Sequence, residues 1–141
     1  DIETPTPADS SVKKTSAADQ KRGAVVKLAK KQVGKPYIWG ATGPSGFDCS
    51  GLTTYVFKNA INKTLPRTTY GQITLGKAVS LSTKKLKKGD LLFWGSTSSP
   101  YHVGIYVGNN QYIHAATPGQ GVIKQSLSGY FYPSAAKRIL N

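Results

Sequence analysis

Three side chains in this 141-residue sequence could carry covalent chemistry together: one cysteine, Cys49, and two histidines, His102 and His114. Cys49 lies in Gly46-Phe47-Asp48-Cys49-Ser50-Gly51-Leu52, where a turn gives way to a helical pattern. A thiol at a helix N-terminus meets unpaired N–H groups and the positive end of the helix dipole, which favour thiolate. Such a nucleophile needs a base to take its proton and later return one to a leaving amine. The base needs a partner that fixes its tautomer and ring plane. His102 is the base candidate, because it opens a strand pattern after a polar loop, where a side chain can face a cleft. Past residue 22 the only acids are Asp48, beside the thiol, and Asp90, in a turn, so His114 is the strongest remaining orienter. Together the three spell a cysteine hydrolase. Lone cysteines are often small buried hydrophobes, but Asp48 and Ser50 are poor company for a core side chain.

Strand pairing can bring the histidines together. If Gly108-Asn109-Asn110 is a three-residue loop, Val107 pairs with Gln111, Gly104 faces His114 and His102 faces Ala116. The histidines are then diagonal neighbours on one face, roughly 7–8 Å apart at the backbone and within reach of two imidazoles. A plain two-residue turn would put them on opposite faces, so an odd loop or a bulge is predicted. His102, Gly104 and Tyr106 share one strand face, while Val103, Ile105 and Val107 point to the core. An oxyanion donor is available from the Cys49 backbone N–H, with a second from Tyr37-Ile38-Trp39, Tyr37 ahead of Trp39. Cysteine and histidine also suggest metal, but a structural zinc wants about four closely spaced ligands and no such spacing occurs. No metal and no cofactor is expected.

These residues must be held by a frame of helices first and strands second. Residues 1–18 are rich in Thr, Pro, Ser, Ala and Asp without apolar period and read as a flexible linker, leaving 19–141 as the catalytic domain. Asp19 is placed to cap a helix running to Val33, with Val25, Val26, Leu28, Ala29 and Val33 as its apolar stripe and Gly34 and Pro36 as its stop. A second helix starts at Cys49 and runs through Ala60, and a short helical turn spans 68–75. Strands follow at 91–94, 102–107, 111–116, 121–127 and 135–140, with a loop at 96–100. The layout is α+β, with N-terminal helices packed on a central antiparallel sheet.

Composition narrows the partners. From Gly23 onward fifteen Lys and Arg face two acids, so the formal charge of +13 sits on the folded part. Such a surface is drawn to polyanions. No aromatic-interleaved basic stripe accompanies it, so nucleic acid is not expected. No apolar run approaches the roughly 18–20 residues of a membrane span. A chain without methionine that opens on Asp1 reads as a processed or truncated piece of something longer.

Six segments in order resemble the NlpC/p60 family of bacterial cell-wall cysteine peptidases. They are Gly34-Lys35-Pro36-Tyr37-Ile38-Trp39-Gly40, Phe47-Asp48-Cys49-Ser50-Gly51-Leu52, Leu65-Pro66-Arg67-Thr68-Thr69-Tyr70-Gly71-Gln72, Gly89-Asp90-Leu91-Leu92-Phe93, His102-Val103-Gly104-Ile105-Tyr106-Val107-Gly108 and Tyr112-Ile113-His114-Ala115. The resemblance covers about residues 23 to 140, with the six segments in the family's order. The resemblance implies a pared-down papain-like fold and hydrolysis of peptidoglycan stem peptides between γ-linked D-glutamate and the following diamino acid, L-lysine or diaminopimelate. It maps nucleophile, base and third residue onto Cys49, His102 and His114, and brings Tyr37 near the oxyanion. It implies that Asp48, Ser50 and Arg67 hold the L-Ala–D-Glu end, Asp48 meeting a substrate ammonium and Arg67 a carboxylate. Gln72 and Asp90 look structural. A secreted, wall-associated monomer follows, retained by its charge on anionic wall polymer. The alternatives are another thiol amidase or cross-bridge peptidase, or a non-catalytic basic wall-binding module.

Overall fold

A computed structural model describes residues 17–140. The linker expected over 1–18 therefore lies outside the described residues, except for Ala17 and Ala18, which are already helical. The described residues form helices α1 (Ala17–Gln32), α2 (Cys49–Ile61) and α3 (Thr69–Gln72) and strands β1 (Lys77–Val79), β2 (Leu91–Ser96), β3 (Ser99–Gly108), β4 (Gln111–Ala115), β5 (Val122–Ser126) and β6 (Ala135–Arg138). The strands make one antiparallel sheet in the order β1-β6-β2-β3-β4-β5. The layout is the expected one: helices first, packed on a central antiparallel sheet.

In α1, Val25, Val26 and Ala29 recur at helical spacing and are buried against the sheet. Two expectations need correction here. The helix begins two residues before Asp19, which therefore lies in the first turn rather than at the N-cap, and pairs with Arg22 at 3.2 Å. The helix also stops at Gln32, so Val33 falls outside the stripe and is 44% exposed. Arg22 is buried and ties α1 to the end of the chain by donating from Nη2 to the Leu140 carbonyl at 2.8 Å.

The start of α2 is set by Asp48, extended and with Oδ1 accepting from Gly51 N at 2.7 Å. Gly51 is required, because a Cβ there would strike the Ala41 carbonyl. Leu52, Val56 and Phe57 seat α2 on the sheet face made by Leu91, Phe93, Val103, Ile105, Val107, Ile113 and Ala115. The other face carries a second core of Leu92, Trp94, Tyr106, Tyr112 and Ala136, closed by Leu86, Leu127 and Phe131. Both cores follow the period of two along the strands.

The β3–β4 hairpin confirms the expected register by a different turn. Ile105 faces Ile113 and Tyr106 faces Tyr112, then Val107 is skipped and Gly108 faces Gln111. Val107 is thus bulged, rather than paired with Gln111, and Asn109-Asn110 make a two-residue turn with φ of 54° and 63°. The bulge supplies the odd residue that keeps both histidines on one face. Another correction concerns the loop expected at 96–100. Ser96 and Ser99 are paired strand residues, leaving Thr97 and Ser98 as the turn, with a bulge between Trp94 and Gly95. The edge strand β1 is short, with two of its three residues exposed and no alternation for sequence reading to catch. No helix among the described residues is long and apolar enough to cross a membrane.

Candidate active site

Cys49 is the first residue of α2. Its thiol lies near the backbone N–H groups of Val103, Ser50 and Cys49 itself, each of which favours thiolate. Burial works against them, the Asp48 charge adds to it, and the net effect holds the thiol above its ordinary pKa. The thiolate expected from a helix N-terminus is therefore not the resting form.

His102 and His114 meet directly, with Nε2 of His102 at 2.7 Å from Nδ1 of His114. Gly104, opposite His114, leaves room for this: a Cβ there would sit 3.2 Å from both the His114 Cβ and Tyr112 Cδ2. His114 in turn places Nε2 at 2.8 Å from Oε1 of Gln125 on β5. Gln125 faces Tyr112 while His114 faces Ile123, so this contact is diagonal too. A chain of three polar side chains thus steps diagonally across β3, β4 and β5.

Its polarity follows from donor and acceptor counts. An amide oxygen can only accept, so His114 donates from Nε2 and leaves Nδ1 as an acceptor. His102 then donates from Nε2, and its Nδ1 keeps a bare lone pair. Burial first, and His114 second, push His102 down to about 3. Burial also lowers His114, against the pull of Gln125. The rings sit among aromatics, with Trp94 at 5.2 Å from His102 and Tyr112 at 4.7 Å from His114. Both imidazoles are therefore neutral near pH 7, and the resting pair is thiol and imidazole.

Asp48, Ser50 and Arg67 also come together. Asp48 Oδ2 accepts from Arg67 Nη2 at 2.9 Å and from Gly40 N at 3.1 Å, and Arg67 Nη1 donates to Ser50 Oγ at 2.8 Å. Asp48 and Arg67, anticipated as separate charges for separate substrate groups, are thus partners of each other. Gln72 lies beneath, fully buried, donating to the Ser50 and Pro66 carbonyls and accepting from Thr53 Oγ1. Asp90 is buried on Arg138.

Two hollows meet at Cys49, Tyr37 and Tyr101. One, of about 670 Å³, is lined by Asp48, Ser50, Arg67, Tyr70 and Trp39. The other, of about 440 Å³, is lined by His102, His114, Thr117, Gln120 and Phe131. Tyr37 borders both, and burial first, with the nearby Asp48 carboxylate and the Cys49 sulfur when ionised, raises its pKa, so it stays an O–H donor. Trp39 is 86% exposed at the rim of the larger hollow. Among the described residues no three His, Cys, Asp or Glu side chains lie close enough to hold a metal. Sequence reading missed Gln125, which one more diagonal step across the sheet would have reached had the β4–β5 register been known.

Residues 34–140 match the model of the NlpC/P60 family. The chain is 46% identical over 107 residues to Protein P54 of Enterococcus faecium, covering 76% of this chain and 20% of that one. It is 41% identical over 101 residues to murein DD-endopeptidase MepH of Escherichia coli, covering 70% of this chain and 37% of that one. The chain thus spans well under half the length of either relative. Among solved structures, the NlpC/p60 domain of the peptidoglycan hydrolase SagA superposes with a TM-score of 0.77 at 44% identity, covering 83% of this chain and 97% of that one. The peptidoglycan hydrolase RipB of Mycobacterium tuberculosis superposes with a TM-score of 0.78 at 28% identity, covering 99% and 75%. With the order of helices and strands, the papain-like α+β fold and these matches in agreement, the chain belongs to the NlpC/P60 family.

Proposed function

We propose that this chain is a peptidoglycan hydrolase, a cysteine endopeptidase that cuts stem peptides between γ-D-glutamate and the diamino acid. The observation that carries the chemistry is the chamber in which Cys49 at the head of α2 shares a wall with the hydrogen-bonded chain of His102, His114 and Gln125. Because thiol and imidazole rest neutral, the proton moves from Sγ to Nδ1 of His102 as sulfur attacks the scissile carbonyl carbon. The C–S bond forms, and the carbonyl oxygen becomes an oxyanion held by the Cys49 N–H and the Tyr37 hydroxyl. Collapse breaks the C–N bond, and His102 hands its proton to the leaving amine. Water, deprotonated by His102, then attacks the thioester, the C–S bond breaks, and sulfur regains its proton.

Specificity on the acyl side rests on the hollow holding Asp48, Ser50 and Arg67. A free α-ammonium of L-alanine would meet Asp48, and the D-glutamate α-carboxylate would meet Arg67, each entering a pair that already exists. A second reading, a cross-bridge endopeptidase on the same machinery, is favoured by the likeness to MepH, named a DD-endopeptidase. The chain acts as a monomer outside the cell, retained on anionic wall polymer by its charge of +13.

Mass spectrometry of muropeptides incubated with the protein and with Cys49→Ala tests this. Release of L-Ala–D-Glu that depends on Cys49 supports the first reading, and the co-product identifies the diamino acid. Cys49-dependent cuts at the cross-bridge select the second. Absence of any cut, in lysine and diaminopimelate walls alike, would leave a wall-binding module.

A further inference from the structure

The charge of this domain is organised by residue type. Asp19 pairs with Arg22, Asp48 with Arg67 and Asp90 with Arg138. The ion pairs among the described residues thus join arginines to aspartates, and the lysines take no part in them. Four of those lysines, Lys84, Lys85, Lys87 and Lys88, project from one turn between β1 and β2, and all four are exposed.

That turn is held in shape before anything binds it. Leu86 is plugged into the second core. Lys85 N donates to the Ser82 carbonyl at 2.9 Å, and Lys87 N to Asp90 Oδ2 at 2.8 Å. Arg138 Nη2 donates to the Lys85 carbonyl at 2.7 Å. The turn parts two hollows. One, of about 500 Å³, is lined by Lys87, Lys88, Thr83 and the paired Asp19 and Arg22, and the other, of about 330 Å³, by Lys85, Lys77, Ser80 and Arg138. Ammonium groups on flexible stems over a fixed backbone suit a string of phosphates, whose charges repeat without a demand for forked geometry. Neither hollow is lined by an exposed aromatic, so nucleobases have no platform to stack on. The one apolar residue of the turn is buried, so nothing there enters a bilayer.

The turn also sits away from the cleft. Gly89 N donates to the Tyr106 carbonyl, and the Lys88 stem lies over Gly108 at the far end of β3 from His102. Six residue steps along β3 separate Gly108 from His102, about 20 Å. A polymer held there leaves the cleft open.

We propose that the Lys84–Lys88 turn is a docking surface for a linear poly(polyol phosphate), a phosphodiester polyanion that carries no nucleobases. The proposal rests on the wall-directed reading above only for where such a polymer is met. Its test is the affinity of the full chain for poly(glycerol phosphate), compared between a K84Q/K85Q/K87Q/K88Q variant and a K27Q/K30Q/K31Q/K63Q control of equal net charge. The turn variant should lose about tenfold or more, and its slope of log affinity against log salt should fall by roughly three, while the control changes less than about threefold. Equal losses in both would reduce the surface to net charge and overturn the proposal. Tighter binding to duplex DNA or to phosphatidylglycerol vesicles than to poly(glycerol phosphate) would overturn the partner class. Cleavage of a small soluble muropeptide should be the same in the turn variant and the parent, so a failed hydrolase reading and a failed docking site give different results.

Discussion

Gln125 Oε1 stands 2.8 Å from Nε2 of His114, one diagonal step beyond the contact His114 makes with His102. The amide oxygen sets the direction of two further hydrogen bonds. If it donated instead of accepting, His114 would donate from Nδ1, and His102 would carry its proton on the nitrogen that must be bare. The tautomer of His102, the proposed base, is therefore set from β5, two strands away.

Gln125→Leu should lower kcat by about tenfold to a hundredfold, the scale on which outer partners of an oriented imidazole act, with KM little changed. Gln125→Glu keeps an acceptor and should restore most of the rate. Gln125→Lys presents only donors and should be the slowest. A residue needed merely for packing would rank these by size and charge, with leucine mildest. The histidine ¹⁵N shifts give a second readout, since leucine should mix the tautomers and glutamate should not.

Stability should fall on acidification because the histidines are buried neutral. His102 in the folded chain takes a proton only near pH 3, against 6.5 for the ordinary group. Between those values the unfolded chain binds more protons, so unfolding is favoured as pH drops. The loss is roughly 1.4 kcal/mol for each pH unit crossed while His102 alone titrates, and His114 adds in the same direction. Urea midpoints measured from pH 7 to pH 4 should decline, and the decline should be shallower in His102→Asn. A wild-type midpoint that stays level would contradict the buried neutral pair.

Much of this site was legible because rare residues met a strict pattern. The choice of Cys49, His102 and His114 as candidates follows from there being one cysteine and two histidines, and the shared face of the two histidines follows from the register of a short hairpin. The bulge at Val107 was legible as a parity requirement but not as a residue, since the φ values of Asn109 and Asn110 select a two-residue turn. What stayed hidden depended on distant contacts. Asp48 and Arg67 are separated by 19 residues, and nothing local says that they neutralise each other. The thiol's raised pKa likewise comes from burial, which motif spacing does not report. β1 has two exposed residues of three, so its pairing with β6 left no periodic trace.

Asp48→Asn separates the two effects of that aspartate. The asparagine oxygen can still cap α2 by accepting from Gly51 N, but its Nδ2 would face Gly40 N and Arg67 Nη2 where Oδ2 accepts from both, so folding should lose about 1–3 kcal/mol. The charge that raises the Cys49 pKa is removed, so iodoacetamide should alkylate Cys49 faster than in the parent at the same pH. Hydrolysis of the stem peptide should nevertheless fall by about tenfold or more, the scale of one lost charged hydrogen bond to substrate. Faster alkylation with unchanged hydrolysis would remove Asp48 from substrate binding. Slower alkylation would refute its electrostatic effect on the thiol.

Gly104→Ala asks how tightly the histidine contact is built. The backbone there is ordinary strand, so alanine carries no conformational penalty. Its Cβ would press on the His114 Cβ and Tyr112 Cδ2 at 3.2 Å and on the Ile113 carbonyl at 3.3 Å. Tyr112 is packed against Trp94 and cannot retreat freely, so His114 should give way by a few tenths of an ångström. Overpacking of this size costs about 1–3 kcal/mol of stability. The rate should suffer beyond that, by about tenfold at temperatures where the variant is fully folded, because the 2.7 Å contact with His102 is what aligns the base. Steady-state kinetics well below the variant's Tm checks this. A variant that loses stability but keeps the parent's kcat would show that the His102–His114 contact tolerates displacement, and that the base is aligned by its own strand instead.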